Sequence, residues 1–157
     1  MDGITDAAFR SLVLDLGDAG GAVTEFLRLT TGAPGTKVLR RELGPPHPSI
    51  PVGLQVMAPG PEWVAETAAR AGEAGASFLD LNFGCPVNKV VSKNGGSSLL
   101  RDCPLLERVA RGVVKAVAPF PVTAKIRIGW CEQTINATTT ARILEDCGIQ
   151  AIAVHGR

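Results

Sequence analysis

The sequence lacks any marked excess of charge of one sign, with 16 lysines and arginines against 15 aspartates and glutamates and a formal net charge of +1. This balance excludes only nucleic-acid binding that relies on bulk charge, because a few local Lys and Arg residues can hold a phosphate backbone. The four cysteines form no Cys-x-x-Cys pair, and no His is spaced with them for a zinc site. A disulfide framework or a structural metal is therefore not expected.

Long apolar segments are also missing. No uninterrupted run approaches the roughly 20 residues that a membrane helix needs, and the first residues show no basic stretch followed by an apolar one, as a leader peptide would. Hydrophobic residues make up 45% of the 157 residues and charged residues 20%, which is typical of a soluble globular domain. We expect one cytoplasmic domain with reduced thiols and no membrane association.

Apolar periodicity and turn residues predict strands that alternate with helices. A first helix begins near Thr5 and stops at Gly17, whereas the Gly- and Pro-rich segment 32–51 indicates mostly a long loop. The other predicted elements are an apolar run at 22–29, strands at 51–57, 77–81, 121–128 and 150–154, and helices at 61–73, 102–117 and 134–147. Such alternation implies parallel β-α units whose helices cover the sheet.

Two architectures fit this pattern: a doubly wound open sheet, and a (β/α)8 TIM barrel, which typically needs ~250 residues. The length of 157 residues favours the open sheet. The polar residues favour the barrel, because nearly every predicted strand carries one or two of them toward its carboxyl end, and a barrel gathers those ends at one mouth. They are Glu25, Gln55, Asp80, Asn82, Lys125, Arg127 and His155. Strand ends also turn polar simply on meeting solvent, so these residues alone leave both architectures open.

The segment Asp-Leu-Asn-Phe-Gly-Cys-Pro at 80–86 ends a predicted strand and leads into a loop that contains Gly95 and Gly96. Proline after Cys85 biases this cysteine toward an extended backbone that projects its thiol, and the glycines allow close approach to a ligand. A thiol is mostly protonated near neutral pH and can donate a proton. Cys85 is a candidate catalytic residue, and the alternative is an inert cysteine in an apolar strand.

Two cations, Lys125 and Arg127, lie two residues apart on a predicted strand and hence on the same face. Cations on an inward face are costly without anions. A reduced flavin ring or a phosphodiester would satisfy them, and so would a structural ion pair with Glu25 or Asp80. His155 is a further polar group at a strand end, where a lone His is often structural.

Several segments together resemble the tRNA-dihydrouridine synthase family, in the family's order and spacing. They are Met-Asp-Gly-Ile-Thr-Asp at 1–6 with Phe9 and Arg10, Thr24-Glu25, Gln55 with 63–71, 80–86 with 99–102, Lys-Ile-Arg-Ile-Gly-Trp at 125–130, and Val-His-Gly-Arg at 154–157. The resemblance covers essentially the whole chain. It implies a TIM barrel represented by roughly its first six strands, with 1–157 as a partial FMN-binding catalytic domain.

The activity implied by the resemblance is the NADPH-driven reduction of a tRNA uridine to 5,6-dihydrouridine, with bound FMN. Carried over residue by residue, Cys85 would protonate C5 of the uracil ring while reduced FMN delivers hydride to C6. Met1, Asp2, Gln55, Lys125 and His155 would hold the flavin, and Asn82 and Arg127 would face the target base. Glu25-Phe26, Arg28 and the length of the Cys85 loop look closest to the family's C branch, which modifies position 16.

The sequence departs from the family where Gln55 is followed by Val-Met-Ala rather than the usual Leu, any residue and Gly. The resemblance also implies that the last barrel strands, with the flavin phosphate site, and a helical tRNA-binding domain lie outside this sequence, so that this chain alone would bind FMN poorly. Two other readings stay open. The chain could belong to an FMN barrel that acts on small molecules, such as a dihydroorotate dehydrogenase or an ene-reductase, or it could be an inactive fragment that binds RNA or a partner.

Overall fold

The computed structural model describes residues 4–29, 31–58 and 62–156, in which strands and helices alternate. In chain order the elements are α1 (Ala7–Leu16), β1 (Ala22–Val23), β2 (Leu27–Arg28), α2 (Thr36–Leu43), β3 (Val52–Met57), α3 (Val64–Ala74), β4 (Phe78–Phe83), α4 (Asn88–Val91), α5 (Cys103–Val117), β5 (Val122–Arg127), α6 (Ala137–Asp146) and β6 (Ala151–His155). Short 3-10 helices at Gly96–Arg101 and Glu132–Thr134 follow α4 and β5. The predicted alternation is confirmed.

The described strands pair in parallel in the order β1-β3-β4-β5-β6, and β2 also pairs with β3. β1 and β2 both pair with the same edge of β3. The apolar run predicted at 22–29 therefore forms a single edge strand of the sheet, and its pairing is interrupted between β1 and β2. Neighbours in the sheet follow chain order, as in a barrel, and the order does not reverse as it does in a doubly wound sheet. The strands therefore form a half-barrel sheet in an α/β fold.

Aspartate side chains cap the first turns of two helices. The Asp6 carboxylate accepts a hydrogen bond from the backbone N–H of Phe9 at 2.8 Å and starts α1. The Asp102 carboxylate accepts one from Leu105 at 2.9 Å and starts α5. Each cap satisfies one of the N–H groups that a helix leaves without a partner in its first turn.

The prediction of a long loop at 32–51 is wrong in its middle, because α2 lies there. This helix fits between Gly35 and Gly44, and its apolar residues Leu39 and Leu43 are four apart and both buried. Eight residues give too short an amphipathic pattern to stand out among prolines and glycines, and packing on α3 stabilises the helix more than its own propensity does.

The sheet has a hydrophobic outer face and a polar inner face. On β5 the buried residues Val122, Ala124 and Ile126 alternate with the half-buried Thr123, Lys125 and Arg127. Neighbouring helices α2 and α3, α3 and α5, and α5 and α6 pack on one another over the outer face. The core therefore lies between the sheet and the helices, and the inner face is left for polar side chains.

Strand register stacks the inner side chains in levels. Gln55, Asp80 and Thr123 form one level, because Gln55 pairs with Asp80 and Asp80 with Thr123. Asn82 pairs with Lys125 in the next level, and Arg127 with His155 in the level above. Below them the Phe78 ring lies across Gly53, where an added Cβ would come within 2.2 Å of the ring. The two levels closest to the carboxyl ends therefore carry the cations Lys125 and Arg127.

Candidate active site

A cleft of about 580 Å³ opens at the carboxyl ends of the strands. It is lined by Val23, Thr24, Glu25, Phe26, Arg28, Gln55, Asn82, Gly84, Cys85, Pro86, Val87, Lys125, Arg127 and His155. The structure thus brings together six of the residues predicted for the site, namely Cys85, Gln55, Lys125, His155, Asn82 and Arg127. The other two, Met1 and Asp2, lie outside the described residues.

The thiol-bearing residue is held through its backbone. The carbonyl oxygen of Cys85 accepts hydrogen bonds from the backbone N–H of Ser97 at 2.9 Å and from its hydroxyl at 3.1 Å. Gly96 has a φ of 57°, and a Cβ at this residue would lie 2.4 Å from the same carbonyl oxygen. Gly96 therefore packs closely against the backbone of Cys85, and the close approach of a ligand to this glycine stays a prediction. The half-buried Cys85 thiol makes no hydrogen bond with the described residues.

Two side-chain amides connect this loop to a buried carboxylate. The Asn82 carbonyl oxygen accepts hydrogen bonds from the backbone N–H groups of Gly84 at 3.1 Å and Cys85 at 3.0 Å, which forms an Asx turn. Asn82 Nδ2 donates to Gln55 Oε1 at 2.8 Å, and Gln55 Nε2 donates to Asp80 Oδ2 at 2.7 Å. These side chains form a continuous hydrogen-bonded chain, called here the amide chain.

Asp80 lies at the inner end of the amide chain, where its side chain is only 4% exposed. Its second oxygen accepts a hydrogen bond from the Thr123 hydroxyl at 2.5 Å. Burial raises the pKa of Asp80 above its ordinary value, although hydrogen bonds from Thr123 and Gln55 and attraction to Lys125 act in the opposite direction. Among the described residues, no Lys, Arg or His forms an ion pair with the Asp80 carboxylate.

The two inner cations differ in their partners. Arg127 Nε donates to the carbonyl of Gly84 at 2.7 Å, so its guanidinium supports the backbone next to Cys85. Lys125 makes no hydrogen bond or ion pair with the described residues. Neither cation forms the ion pair with Glu25 or Asp80 that was considered as a structural alternative. Lys125 thus brings a positive charge, without a protein anion in direct contact, to the wall of the cleft.

Glu25, on the opposite wall, belongs to a separate charged cluster. Arg10 donates to Glu25 Oε2 at 2.9 Å, and the Thr5 hydroxyl donates to the other oxygen. Burial raises the pKa of Glu25, but the Thr5 hydrogen bond and the Arg10 guanidinium outweigh it, so that the pKa is lowered overall. Arg10 also donates to the carbonyls of Glu42 at 2.5 Å and Leu43 at 3.0 Å, at the end of α2.

A second cavity of about 390 Å³ adjoins the cleft and shares Pro86 and Arg127 with it. Trp130 lines this cavity, and the Arg101 guanidinium lies 5.0 Å from the centre of its ring. Among the described residues no three His, Cys, Asp or Glu side chains are grouped as a metal site requires. In the same part of the chain, no helix combines the length and the apolar character needed to cross a membrane.

Sequence reasoning missed the residues that support the site from below. Asp80 was predicted as a polar strand end and as a candidate ion-pair partner but not as a support of the site, although its position two residues before Asn82 places both on the inner face. Thr123 carries the same signal relative to Lys125. The contacts of Arg10 and Ser97 could not be predicted from the sequence, because each side chain binds a residue that is distant in sequence and close only in the fold.

The fold and the cleft define a parallel α/β protein with a thiol and several cations at one sheet edge. The family model for dihydrouridine synthase (Dus) matches residues 1–157. tRNA-dihydrouridine synthase B of Pseudomonas aeruginosa is 41% identical over the whole chain, and its counterpart in Vibrio cholerae is 40% identical. The chain therefore belongs to the dihydrouridine synthase family, as the sequence predicts.

The chain spans about half the length of the curated relatives it matches, 47% for the Pseudomonas aeruginosa protein and 48% for the Vibrio cholerae protein. These relatives carry the name of synthase B, so assignment to the C branch is not confirmed and stays a prediction. The fold is similar to a solved structure of 2,3-dimethylmalate lyase, a PEP mutase/isocitrate lyase superfamily member. The TM-score is 0.56 at 17% identity, over 98% of this chain and 55% of that one.

Proposed function

We propose that this chain supplies part of the active site of an enzyme that reduces a uridine in tRNA to 5,6-dihydrouridine, with bound FMN and with NADPH as reductant. The observation that carries the proposal is the convergence of six predicted site residues on one cleft in a member of the dihydrouridine synthase family. The names of its relatives support tRNA as the substrate. We infer that the half-barrel sheet is part of a complete TIM barrel.

The chemistry of the cleft fits a flavin. Its volume of about 580 Å³ lies within the range of small-molecule and cofactor sites. Gln55, Lys125 and His155 would hold FMN, together with Met1 and Asp2. Lys125 lacks an anionic protein partner among the described residues, which suits a ring that carries negative charge when reduced. When bound, FMN supplies hydride chemistry and is reduced by NADPH.

Cys85 is the proton donor in this proposal. Its thiol has no competing hydrogen bond among the described residues, and its backbone is fixed on both sides by Asn82 and Ser97. A fixed backbone limits the positions that Sγ can take to its few side-chain rotamers, which favours general acid catalysis by a positioned side chain. The proton would be transferred from Sγ to C5 of the uracil ring, and hydride would be added at C6.

The target base would contact Arg127 and the remaining N–H of Asn82 Nδ2, since the first N–H already binds Gln55. Both side chains lie in the cleft next to Cys85. A base reaches such a cleft only after it leaves its stack in the folded tRNA. Position 16 is the proposed target, following the C-branch features at Glu25, Phe26 and Arg28. We place the reaction in the cytoplasm, where thiols stay reduced.

The test uses the complete enzyme of which this chain is proposed to be a part, with FMN, NADPH and an unmodified tRNA transcript, and dihydrouridine is located by mass spectrometry. We expect dihydrouridine to form, and Cys85→Ala to lower kcat by at least about 100-fold while the flavin spectrum is kept. Cys103→Ala is the matched control, because Cys103 begins α5 and does not line the cleft. Reduction of small enones without reduction of tRNA would contradict the proposal, as would full activity of Cys85→Ala.

A further inference from the structure

We propose that Asp80 is a positioning residue that orients the Cys85 loop through the amide chain of Gln55 and Asn82. This inference rests on the proposed role of Cys85 as proton donor. Asp80 does not line the cleft, and it lies two hydrogen-bonded side chains away from the backbone of Cys85. It would therefore act on the thiol only through its neighbours.

The two ends of the amide chain fix its direction. At the outer end, the backbone N–H groups of Gly84 and Cys85 can only donate, so Asn82 must turn its oxygen toward them. At the inner end, the carboxylate of Asp80 can only accept, so Gln55 must turn Nε2 toward it. The remaining atoms, Asn82 Nδ2 and Gln55 Oε1, then meet as donor and acceptor. With both ends chemically defined, each amide has one satisfied orientation.

Removal of the carboxylate would remove this constraint. If Gln55 rotated its amide by half a turn, its N–H group would face the N–H group of Asn82. Asn82 would then have to rotate as well, and two N–H groups of the Cys85 loop would lose their acceptor. Because the Gln55 and Asp80 side chains are only 6% and 4% exposed, water would not replace the lost partners easily. The position of the thiol thus depends on an acceptor at residue 80.

The surroundings of Asp80 limit it to this role. Its oxygens bind Gln55 and Thr123, both on neighbouring strands at the same level. The nearby cation is Lys125, which attracts the carboxylate but forms no ion pair with it. A carboxylate bound by neutral donors on two strands is well placed to set an orientation, and poorly placed to exchange protons with a substrate in the cleft.

The experiment compares Asp80→Ala and Asp80→Asn in the complete enzyme of which this chain is proposed to be a part, with FMN bound. We expect Asp80→Ala to lower kcat about tenfold or more with KM for tRNA changed less than about twofold, because contacts to the phosphate backbone, and not to the target base, supply most of the affinity for a nucleic acid. Asp80→Asn should restore kcat to near the wild-type value, since its carbonyl can accept from Gln55 while its NH2 donates to Thr123 Oγ1. A failure of Asp80→Asn to restore kcat would overturn the proposal, even if Asp80→Ala does not fold.

A second readout does not depend on turnover. The alkylation rate of Cys85 by iodoacetamide, followed by peptide mass spectrometry, should change several-fold in Asp80→Ala and in Asn82→Ala, with no further change in the double variant. Additive effects would overturn the proposal. Thr67→Val, which removes a buried hydroxyl on α3 far from the cleft, controls for lost stability and should leave the rate unchanged. If tRNA is not reduced at all, this readout still tests the role of Asp80.

Discussion

Two carboxylates near the cleft, the half-buried Glu25 in its wall and the buried Asp80 behind its lining, are stabilised in opposite ways. Glu25 is paired with the Arg10 guanidinium, which together with Thr5 lowers its pKa despite burial. Asp80 is held by the neutral side chains of Gln55 and Thr123, and burial raises its pKa. Glu25 is therefore stabilised by an opposite charge in direct contact, whereas Asp80 is stabilised by hydrogen bonds from neutral side chains.

The two carboxylates also connect to different parts of the molecule. Arg10 joins Glu25 to the last carbonyls of α2, so the Glu25 cluster ties α1 and α2 to the first strands of the sheet. The amide chain of Asp80 ends at the Cys85 loop, where small changes of direction affect the thiol. We infer that the Glu25 cluster contributes mainly to stability, whereas Asp80 contributes mainly to the geometry of the site.

The largest effect is expected when the Glu25 cluster loses its cation. Arg10→Met keeps the aliphatic volume but removes the guanidinium that pairs with Glu25 and donates to two carbonyls of α2. Breaking a buried pair from one side costs about 3 kcal/mol in the free energy of unfolding, which urea denaturation will measure. Arg111→Met is the control, because Arg111 pairs with Glu107 on an exposed helix face and its loss should not be measurable. Equal effects of the two substitutions would mean that the Glu25 cluster is not a structural anchor.

A smaller effect is expected when the Cys85 loop is strained. Gly96→Ala places a Cβ at a φ of 57° and 2.4 Å from the Cys85 carbonyl oxygen. We expect a loss of about 2 kcal/mol of stability and a lower kcat, because the backbone that carries the thiol must shift. Gly95→Ala is the matched control, since Gly95 has a φ of −115° and its nearest neighbour is a Val90 methyl at 3.3 Å. A wild-type kcat in Gly96→Ala would show that the site tolerates movement of this loop.

The two carboxylates should also respond to pH with opposite signs. The folded-state pKa of Glu25 is lowered from its ordinary value of 4.5, so its contribution to stability is present above that value and is lost as pH falls through the folded pKa. The folded-state pKa of Asp80 is raised from 3.8, so the folded state binds its proton more tightly, and stability declines as pH rises through the folded pKa.

Substitution by the neutral amide isolates each contribution. Between pH 7 and pH 3, the stability of the wild-type protein relative to Glu25→Gln should decrease, whereas its stability relative to Asp80→Asn should increase. Denaturant titrations at several pH values will measure both differences. If the two stability differences change in the same direction with pH, the claim that the pKa of Glu25 is lowered and that of Asp80 is raised is wrong.

The sequence predicts much of the sheet and the cleft, because both depend on local patterns. Alternating residues such as Thr123, Lys125 and Arg127 show which side chains share a face, and chain order then places strand ends together. The amide chain was not predictable, because Gln55, Asp80 and Asn82 meet only through strand register. The contacts of Arg10 with Glu25 and α2 were missed for the same reason, since they join residues that are distant in sequence.

The smallest change in stability is expected at Thr140 on α6. Unlike the two carboxylates, this buried polar side chain has neither an ion-pair partner nor a hydrogen-bond donor or acceptor among the described residues. Its hydroxyl has no hydrogen-bond partner within the described ranges of the chain, and the residue is fully buried. Thr140→Val removes the unsatisfied oxygen at nearly constant volume, so stability should rise by about 1 kcal/mol. Thr139→Val, on the exposed side of the same helix, controls for the helix propensity of valine. A loss of stability in Thr140→Val alone, measured by the denaturation midpoint, would show that the hydroxyl has a partner in solution.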